Sequence, residues 1–340
     1  MRCIFIIPPM NNNYIRHSFF LIILLVKVYR IQEQNKGASP KRFPYPSFLE
    51  VHYSIIPEID WQAKALNIKP DCITCIMNQT LKVCKLLEVD DLTAKKLLDS
   101  TADILMAHDL SHTPPQIAKE TYTKIAELTG VDDPVAKAKA LATEMAMKVD
   151  TAFVQTLHDA VKFAVIGNVI DFGAQEQLNL DETIQTHFHR HFGIDDFNIF
   201  EEELESAKTL VYIGDNTGEH IFDKLLIETI KKKYDIEVYY FVRGTPIIND
   251  VTIKEAQILQ PLATIVDTGV PTPGYDLCYA NSPSKTLFDK ADIVLAKGMG
   301  NFESLYDETD RIVYYLFIVK CNVVSEAIGQ EVGELIFSRH

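Results

Sequence analysis

The chain has 340 residues, 47% of them hydrophobic, and a formal net charge of −14, enough to bury the core of one large or two modest domains. The charge is uneven: residues 1–66 carry eight Lys and Arg against four Asp and Glu, net +4, so the other 274 residues carry −18. A body that acidic lacks the clustered Lys and Arg that grip a phosphate backbone, which excludes nucleic acid as the main partner.

Residues 1–66 read as an extension outside the folded body, either disordered or upstream of a mis-assigned start. The apolar run 19–26 (FFLIILLV) is flanked by Arg16, Lys27 and Arg30. Eight residues span about 12 Å as a helix, far short of a bilayer core of about 30 Å, so no membrane role is expected. The run has the basic start and apolar centre of an export signal, yet no small-x-small cleavage site follows closely. The stretch 37–47, with Pro40, Pro44 and Pro46, reads as a linker.

From Asp71 the spacing of apolar residues is helical: Cys72, Cys75, Ile76, Val83 and Leu87 share a face. Further helices are predicted over 91–108, 115–129, 134–149, 150–166 and 180–192. From about 208 the pattern alternates. Short Val- and Ile-rich strands are predicted at 208–213, 236–242, 263–267, 292–296 and 311–319, with crossover helices at 218–233 and 252–260. The expected fold class is α/β: a helical subdomain at 67–200 packed on a Rossmann-like α/β/α domain at 201–340 with a mostly parallel sheet.

Open α/β sheets place ligands beyond the carboxyl ends of their strands. Gly214-Asp-Asn-Thr-Gly-Glu219 follows the first strand, and its acidic and amide oxygens suit a hard divalent cation. The next helix would begin there, offering backbone N–H groups such as that of Gly218 to a phosphate. Alone, Asp215 could equally cap that helix and Asn216 turn the chain. The second strand ends in Arg243-Gly-Thr-Pro-Ile-Ile-Asn-Asp250, which adds a third oxygen ligand and an arginine able to make paired hydrogen bonds to a phosphoryl group. Lys297-Gly-Met-Gly-Asn301 leaves the strand at 292–296 in the same way, and Gly167-Asn168-Val-Ile-Asp171 breaks a helix with polar residues.

These segments, with Lys69-Pro-Asp-Cys-Ile-Thr-Cys75 in front and Lys320-Cys321 behind, resemble the damage-control phosphatases over about 68–340. The resemblance is to their cysteine-containing, stand-alone prokaryotic branch. It implies metal-dependent phosphatase activity on small phosphorylated metabolites, with Mn, Co, Ni or Mg as the cation. By position, the metal ligands would be Asp215, Asn216 and Asp250. Substrate contacts would come from Asn168, Asp171, Gly218, Glu219, Arg243, Lys297 and Asn301. Within that set, Arg243 and Lys297 would hold phosphoryl oxygens, and Asp171 or Glu219 would orient the attacking water.

Cys72-x-x-Cys75 could be half of a zinc site or a redox pair, but Cys84 makes no second CxxC and no strand precedes the motif. Six cysteines, mostly scattered, form no disulfide scaffold, so a reducing cytoplasm is the expected location. His187, His189 and His191 do not share a helix face. Two rival readings stand beside the phosphatase. One is an S-adenosylmethionine-dependent methyltransferase on the same layered fold; the other is a non-catalytic binder of phosphometabolites.

Overall fold

The computed structural model describes residues 66–167 and 180–340, which belong to one compact unit. The expectations for residues 1–65, and the candidates Asn168 and Asp171, lie outside the described residues. Six helices come first: α1 (Pro70–Leu86), α2 (Asp91–Ala107), α3 (Pro114–Thr129), α4 (Ala136–Ala146), α5 (Leu157–Ile166) and α6 (Leu180–Phe188). The chain then alternates through β1 (Phe192–Asp195), α7 (Phe197–Leu204), β2 (Thr209–Ile213), α8 (Glu219–Lys233) and β3 (Glu237–Val242). It continues through a 3-10 turn at Glu255–Leu259, β4 (Thr264–Asp267), α9 (Ser282–Lys290), β5 (Ile293–Lys297) and α10 (Gly298–Leu305). Last come β6 (Tyr314–Ile318), α11 (Asn322–Ile328) and β7 (Leu335–Arg339). No described helix is long and apolar enough to cross a membrane.

The seven strands form one sheet in the order β1-β7-β6-β5-β2-β3-β4, parallel throughout except for the antiparallel pair β6/β7. From β2 the chain steps outward to β3 and β4, then returns to β5 on the other flank of β2. The crevice between the carboxyl ends of β2 and β5 is therefore a topological switch point.

Strand alternation divides the core into two. Leu210, Tyr212, Tyr240, Val242 and Leu295 face the helices α5 and α8 through Val161, Ala164, Leu226 and Ile230. Val211, Ile213, Phe241, Val294 and Ala296 face the opposite layer, through Phe302 and Leu305 of α10 and Phe288 of α9. Burial on both faces is why these strands are continuous apolar runs rather than alternating ones.

Helix ends are set locally. Thr113 and Gln116 form a capping box ahead of Pro114, and Gly130 closes α3 at φ 69°. α5 starts at Leu157, not at 150, because Thr156 caps it with Asp159 while Asp150 turns the preceding chain onto the Ala152 N–H. The predicted helix at 252–260 is reduced to the 3-10 turn. Thr252 is bridged back to Arg243 at the end of β3, so it cannot enter a helix.

Helices α1 to α3 pack on the loop after β3: Ile247 sits in one cluster with Val83, Cys84, Leu97, Tyr122 and Ile125. Gln116 of α3 also donates to Asp276 at 3.0 Å. The helical layer thus holds a loop at the carboxyl edge of the sheet. At the far edge, Phe200 of α7 is fully buried between Tyr314 and Phe337, with ring centroids 5.0 and 5.2 Å away. Phe200→Ala is expected to destabilise the protein by about 3–5 kcal/mol, read as a lowered urea midpoint at unchanged m-value.

Candidate active site

β2 ends at Ile213, and Gly214 follows because a Cβ there would enter the Tyr240 hydroxyl. Beyond it, the loops after β2 and β3 are joined by backbone hydrogen bonds. Val251 N donates to Asp215 O at 2.8 Å, Thr217 N donates to Asn249 O at 2.8 Å, and Asn216 bridges Asp250 in antiparallel register. Arg243 N closes its own loop on Val251 O at 3.0 Å. Asp215, Asn216 and Asp250 are thereby brought together, 35 positions apart in the chain though Asp215 and Asp250 are.

Side chains extend the cluster. Asn216 Nδ2 donates to Asp215 Oδ2 at 2.9 Å and to Glu219 Oε1 at 2.7 Å. Gly298, at φ +80°, opens α10 against Asp215, and any Cβ there would overlap that carboxylate. Asn301 Nδ2 donates to Gly214 O at 3.0 Å and to Lys297 O at 2.6 Å, while its Oδ1 accepts from Tyr275 N and Arg243 Nη2.

The carboxyl ends of β2, β3 and β5 thus meet in one oxygen-rich, arginine-bearing cluster at the switch point, on a fold with a helical front. Residues 68–336 match the damage-control phosphatase ARMT1-like domain. The chain belongs to this family. It is 31% identical over 283 residues to damage-control phosphatase PH1575 of Pyrococcus horikoshii, covering 81% of this chain and 99% of that protein. A damage-control phosphatase of Archaeoglobus fulgidus is 31% identical over 287 residues, covering 80% of this chain and 98% of that protein. The crystal structure of PH1575, described as a DUF89 family protein, superimposes with a TM-score of 0.75 at 30% identity, over 80% of this chain and 99% of that one. Family membership makes the chain a phosphatase.

Electrostatics bear on whether a cation fits. Burial, reinforced by Glu219 and Asp250, pushes the Asp215 carboxyl well above its ordinary range, against the pull of Lys320 and Arg243. Asp250 is pushed up to about 6 by burial, with Arg243 and Lys139 opposing. Two buried carboxylates, both raised by burial and by Glu219, are a site a divalent cation would relieve, and the amide oxygen of Asn216 would complete an all-oxygen set. Among the described residues, no three His, Cys, Asp or Glu side chains gather to hold a metal between them. The donor set here is two carboxylates and an amide, and it fits a cation that takes its remaining ligands from water or substrate.

Three sequence-based expectations change in detail. Arg243 does not offer a full fork: Nε donates to Asp250 Oδ2 at 2.8 Å and Nη2 to Asn301, which leaves Nη1 buried and without a hydrogen-bond partner. Lys297 is wholly buried and paired with Asp223 at 2.9 Å and Glu219 at 3.1 Å, so its charge is already engaged inside the protein. The Gly218 N–H donates to His220 Nδ1 at 3.0 Å and is not open to a phosphate. Burial demands partners for polar groups, and the protein supplies them for Lys297, for the Gly218 N–H and for all of the Arg243 fork but Nη1.

Three further residues, none given a site role from sequence, act on the carboxylates of the cluster. Lys320, exposed past the end of β6 with its N–H on Met299 Sδ at 3.1 Å, acts on Asp215. Lys139 of α4 and Tyr122 of α3 both interact with Asp250. Lys320 sits beside Cys321 in the resemblance and so was within reach of the sequence; Lys139 and Tyr122 lie in ordinary helical patterns that carry no signal.

Two outcomes follow. Gly298→Ala must displace the Asp215 carboxylate, so phosphatase activity is expected to fall by about 100-fold or more with circular dichroism unchanged. The second concerns pH. Asp250 holds its proton more tightly in the fold (about 6) than in the unfolded chain (3.8), so the metal-free fold loses stability as pH rises through that window. In chelator, Asp250→Asn should therefore gain stability relative to wild type as pH rises from 4 to 7, read by urea denaturation at each pH.

Proposed function

We propose that the protein hydrolyses small phosphate monoesters, such as sugar phosphates or damaged and side-product metabolites, with a divalent cation held by Asp215, Asn216 and Asp250. The observation that carries this reading is the joining of the two loops by backbone bonds, which sets three oxygen-bearing side chains beside an arginine with one unpartnered buried N–H. Mn, Co, Ni or Mg would suit the donors. Bound there, the cation would neutralise charge developing on the phosphoryl group as the ester bond breaks.

The protein's own groups have separable tasks. Arg243 Nη1 donates to a phosphoryl oxygen, and its Nε bond to Asp250 fixes the guanidinium plane so that little freedom is lost when substrate binds. Lys320, on its exposed arm, supplies a second cationic contact. Asn301 ties Arg243 Nη2, Gly214 O and Lys297 O together and so holds the ends of β2, β3 and β5 in register. Glu219 has one oxygen on Asn216 and the other facing Lys297, which makes it a poor candidate to take the water proton. Of the two residues the resemblance offers for orienting the attacking water, Asp171 lies outside the described residues. A methyltransferase would need none of this charge pairing.

Purified protein assayed with Mn²⁺, Co²⁺, Ni²⁺ or Mg²⁺ on p-nitrophenyl phosphate and a sugar-phosphate panel tests the reading. Asp215→Ala and Asp250→Ala should each lower turnover by about 100- to 1,000-fold, in line with other charge-stabilising groups. A cation at about 100 times its Kd should raise wild-type stability by about 2.7 kcal/mol and leave Asp215→Ala unmoved in a thermal melt. Full metal-dependent turnover by either variant would remove the ligand assignment.

A further inference from the structure

Beneath the candidate site lies a buried cluster that the proposed reaction does not call on directly. Glu219 and Asp223 are four residues apart on α8, so they share a face, and that face meets the end of β5. Lys297 sits between them, 3.1 Å from Glu219 Oε2 and 2.9 Å from Asp223 Oδ1. Asp223 also accepts from Tyr212 Oη of β2 at 2.6 Å and from Tyr240 Oη of β3 at 2.7 Å, the two rings stacked with centroids 5.4 Å apart. Tyr212, Asp223, Tyr240 and Lys297 are all fully buried.

Stability does not account for this arrangement. Taking charges out of water costs more than an apolar core of the same shape, and a buried ion cluster is weak evidence of a stabilising one. Its connections point elsewhere. Glu219 Oε1 accepts from Asn216 Nδ2, and the same nitrogen reaches Asp215 Oδ2. An unbroken chain of polar contacts therefore runs from the two tyrosines through Asp223, Lys297 and Glu219 to Asn216 and Asp215.

We infer that Asp223 is a positioning residue for this site: it anchors the Lys297 ammonium, which fixes Glu219 and through it the orientation of the Asn216 amide. The tyrosine hydroxyls serve as neutral donors that hold the Asp223 carboxylate in one rotamer, because burial and the adjoining carboxylate push both phenols well above their ordinary range. With Asp223 locked, Lys297 has one fixed contact and can direct a second N–H at Glu219. Asn216 then turns its Nδ2 toward Glu219 and Asp215 and its Oδ1 away from them. The consequence for turnover rests on the phosphatase reading; the anchoring of Lys297 does not.

The test has one arm for each. In protein labelled with ¹⁵N-lysine, the wild type should show a slowly exchanging ¹H–¹⁵Nζ ammonium signal, assigned by its loss in Lys297→Met. Asp223→Asn should speed its hydrogen exchange at least about tenfold. A missing wild-type signal, or unchanged exchange in Asp223→Asn, overturns the proposal. Should Asp223→Asn fail to fold, Asp223→Glu keeps the charge and moves it by one methylene; exchange at least about threefold faster is expected, and an unchanged rate overturns the proposal. In the turnover arm, Asp223→Asn and Lys297→Met should each lower kcat at least about tenfold, and the double variant should be no worse than Lys297→Met within about threefold. Losses that multiply would show that Asp223 acts independently of Lys297 and overturn the proposal. Absence of any phosphatase activity in the wild type would remove the proposed function while leaving the exchange arm to decide on Asp223.

Discussion

Arg243, Lys297, Asp250, Asp215 and Glu219 are all buried at the carboxyl edge of the sheet. A charge removed from water must be met by an opposite charge or by aimed hydrogen bonds, and losing one partner leaves the other exposed to the full cost of burial. That constraint organises the edge. Arg243 is met by Asp250 and Lys297 by Glu219 and Asp223, and each pair ties one strand end to a neighbouring helix or loop. The two cations and their partners are therefore as much a scaffold as a reactive surface. Asp215, raised by burial and by Glu219 and Asp250 beside it, is a point where added positive charge would be favoured.

The same edge depends on the helical layer in front of it. The loop after β3 runs through Ile247 and Ile248, and Ile248 takes a φ of 45°, a conformation unusual for a β-branched residue. Ile247 is held by the buried faces of α1, α2 and α3, so packing energy fixes a backbone that local preference would not choose. The bridge from Asn216 to Asp250 is then a consequence of hydrophobic packing some residues away. A helical subdomain that looks like mere cover is part of what sets the distance between the two acidic loops.

Much of this was legible in the chain, and the boundary of legibility has physical causes. β2, β3 and β5 are buried on both faces, so their Val- and Ile-rich runs stand out, and Asp215, Asn216, Arg243 and Asp250 could be placed just past strand ends. β1 and β7 were not foreseen. β1 is four residues, Phe192–Asp195, alternating half-buried and exposed, and β7 pairs antiparallel with β6 after a helix of only seven residues, Asn322–Ile328. Direction was the harder quantity. Sequence places Lys297 and Arg243 at the right ends of the right strands but does not say that their charges turn inward, because that depends on Asp223 and Asn301 arriving from other elements. The tyrosines of β2 and β3 read simply as strand formers, and only their shared carboxylate gives them another meaning.

Topology, more than hollow space, locates the chemistry. Two cavities of about 630 and 770 Å³ open near the amino ends of strands, one lined by Asp289, Asp292, Arg311 and Arg339, the other by Lys208 and Lys231 to Lys233. Their charged groups are largely answered locally: Lys233 pairs with Glu201, Arg339 with Glu203, and Lys231 donates to Leu262 O. Nothing in them resembles the unpartnered Nη1 of Arg243 beside two carboxylates that resist ionisation. At the amino ends of parallel strands, helices arrive with their carboxyl termini, whose partial negative charge disfavours an anion. At the opposite edge α8 and α10 begin, and α10 does so at Gly298, where the missing side chain is what lets the Asp215 carboxylate approach the helix end. An arginine and two buried carboxylates meet at that one edge, and the order of strands around β2 and β5 is what brings them to it.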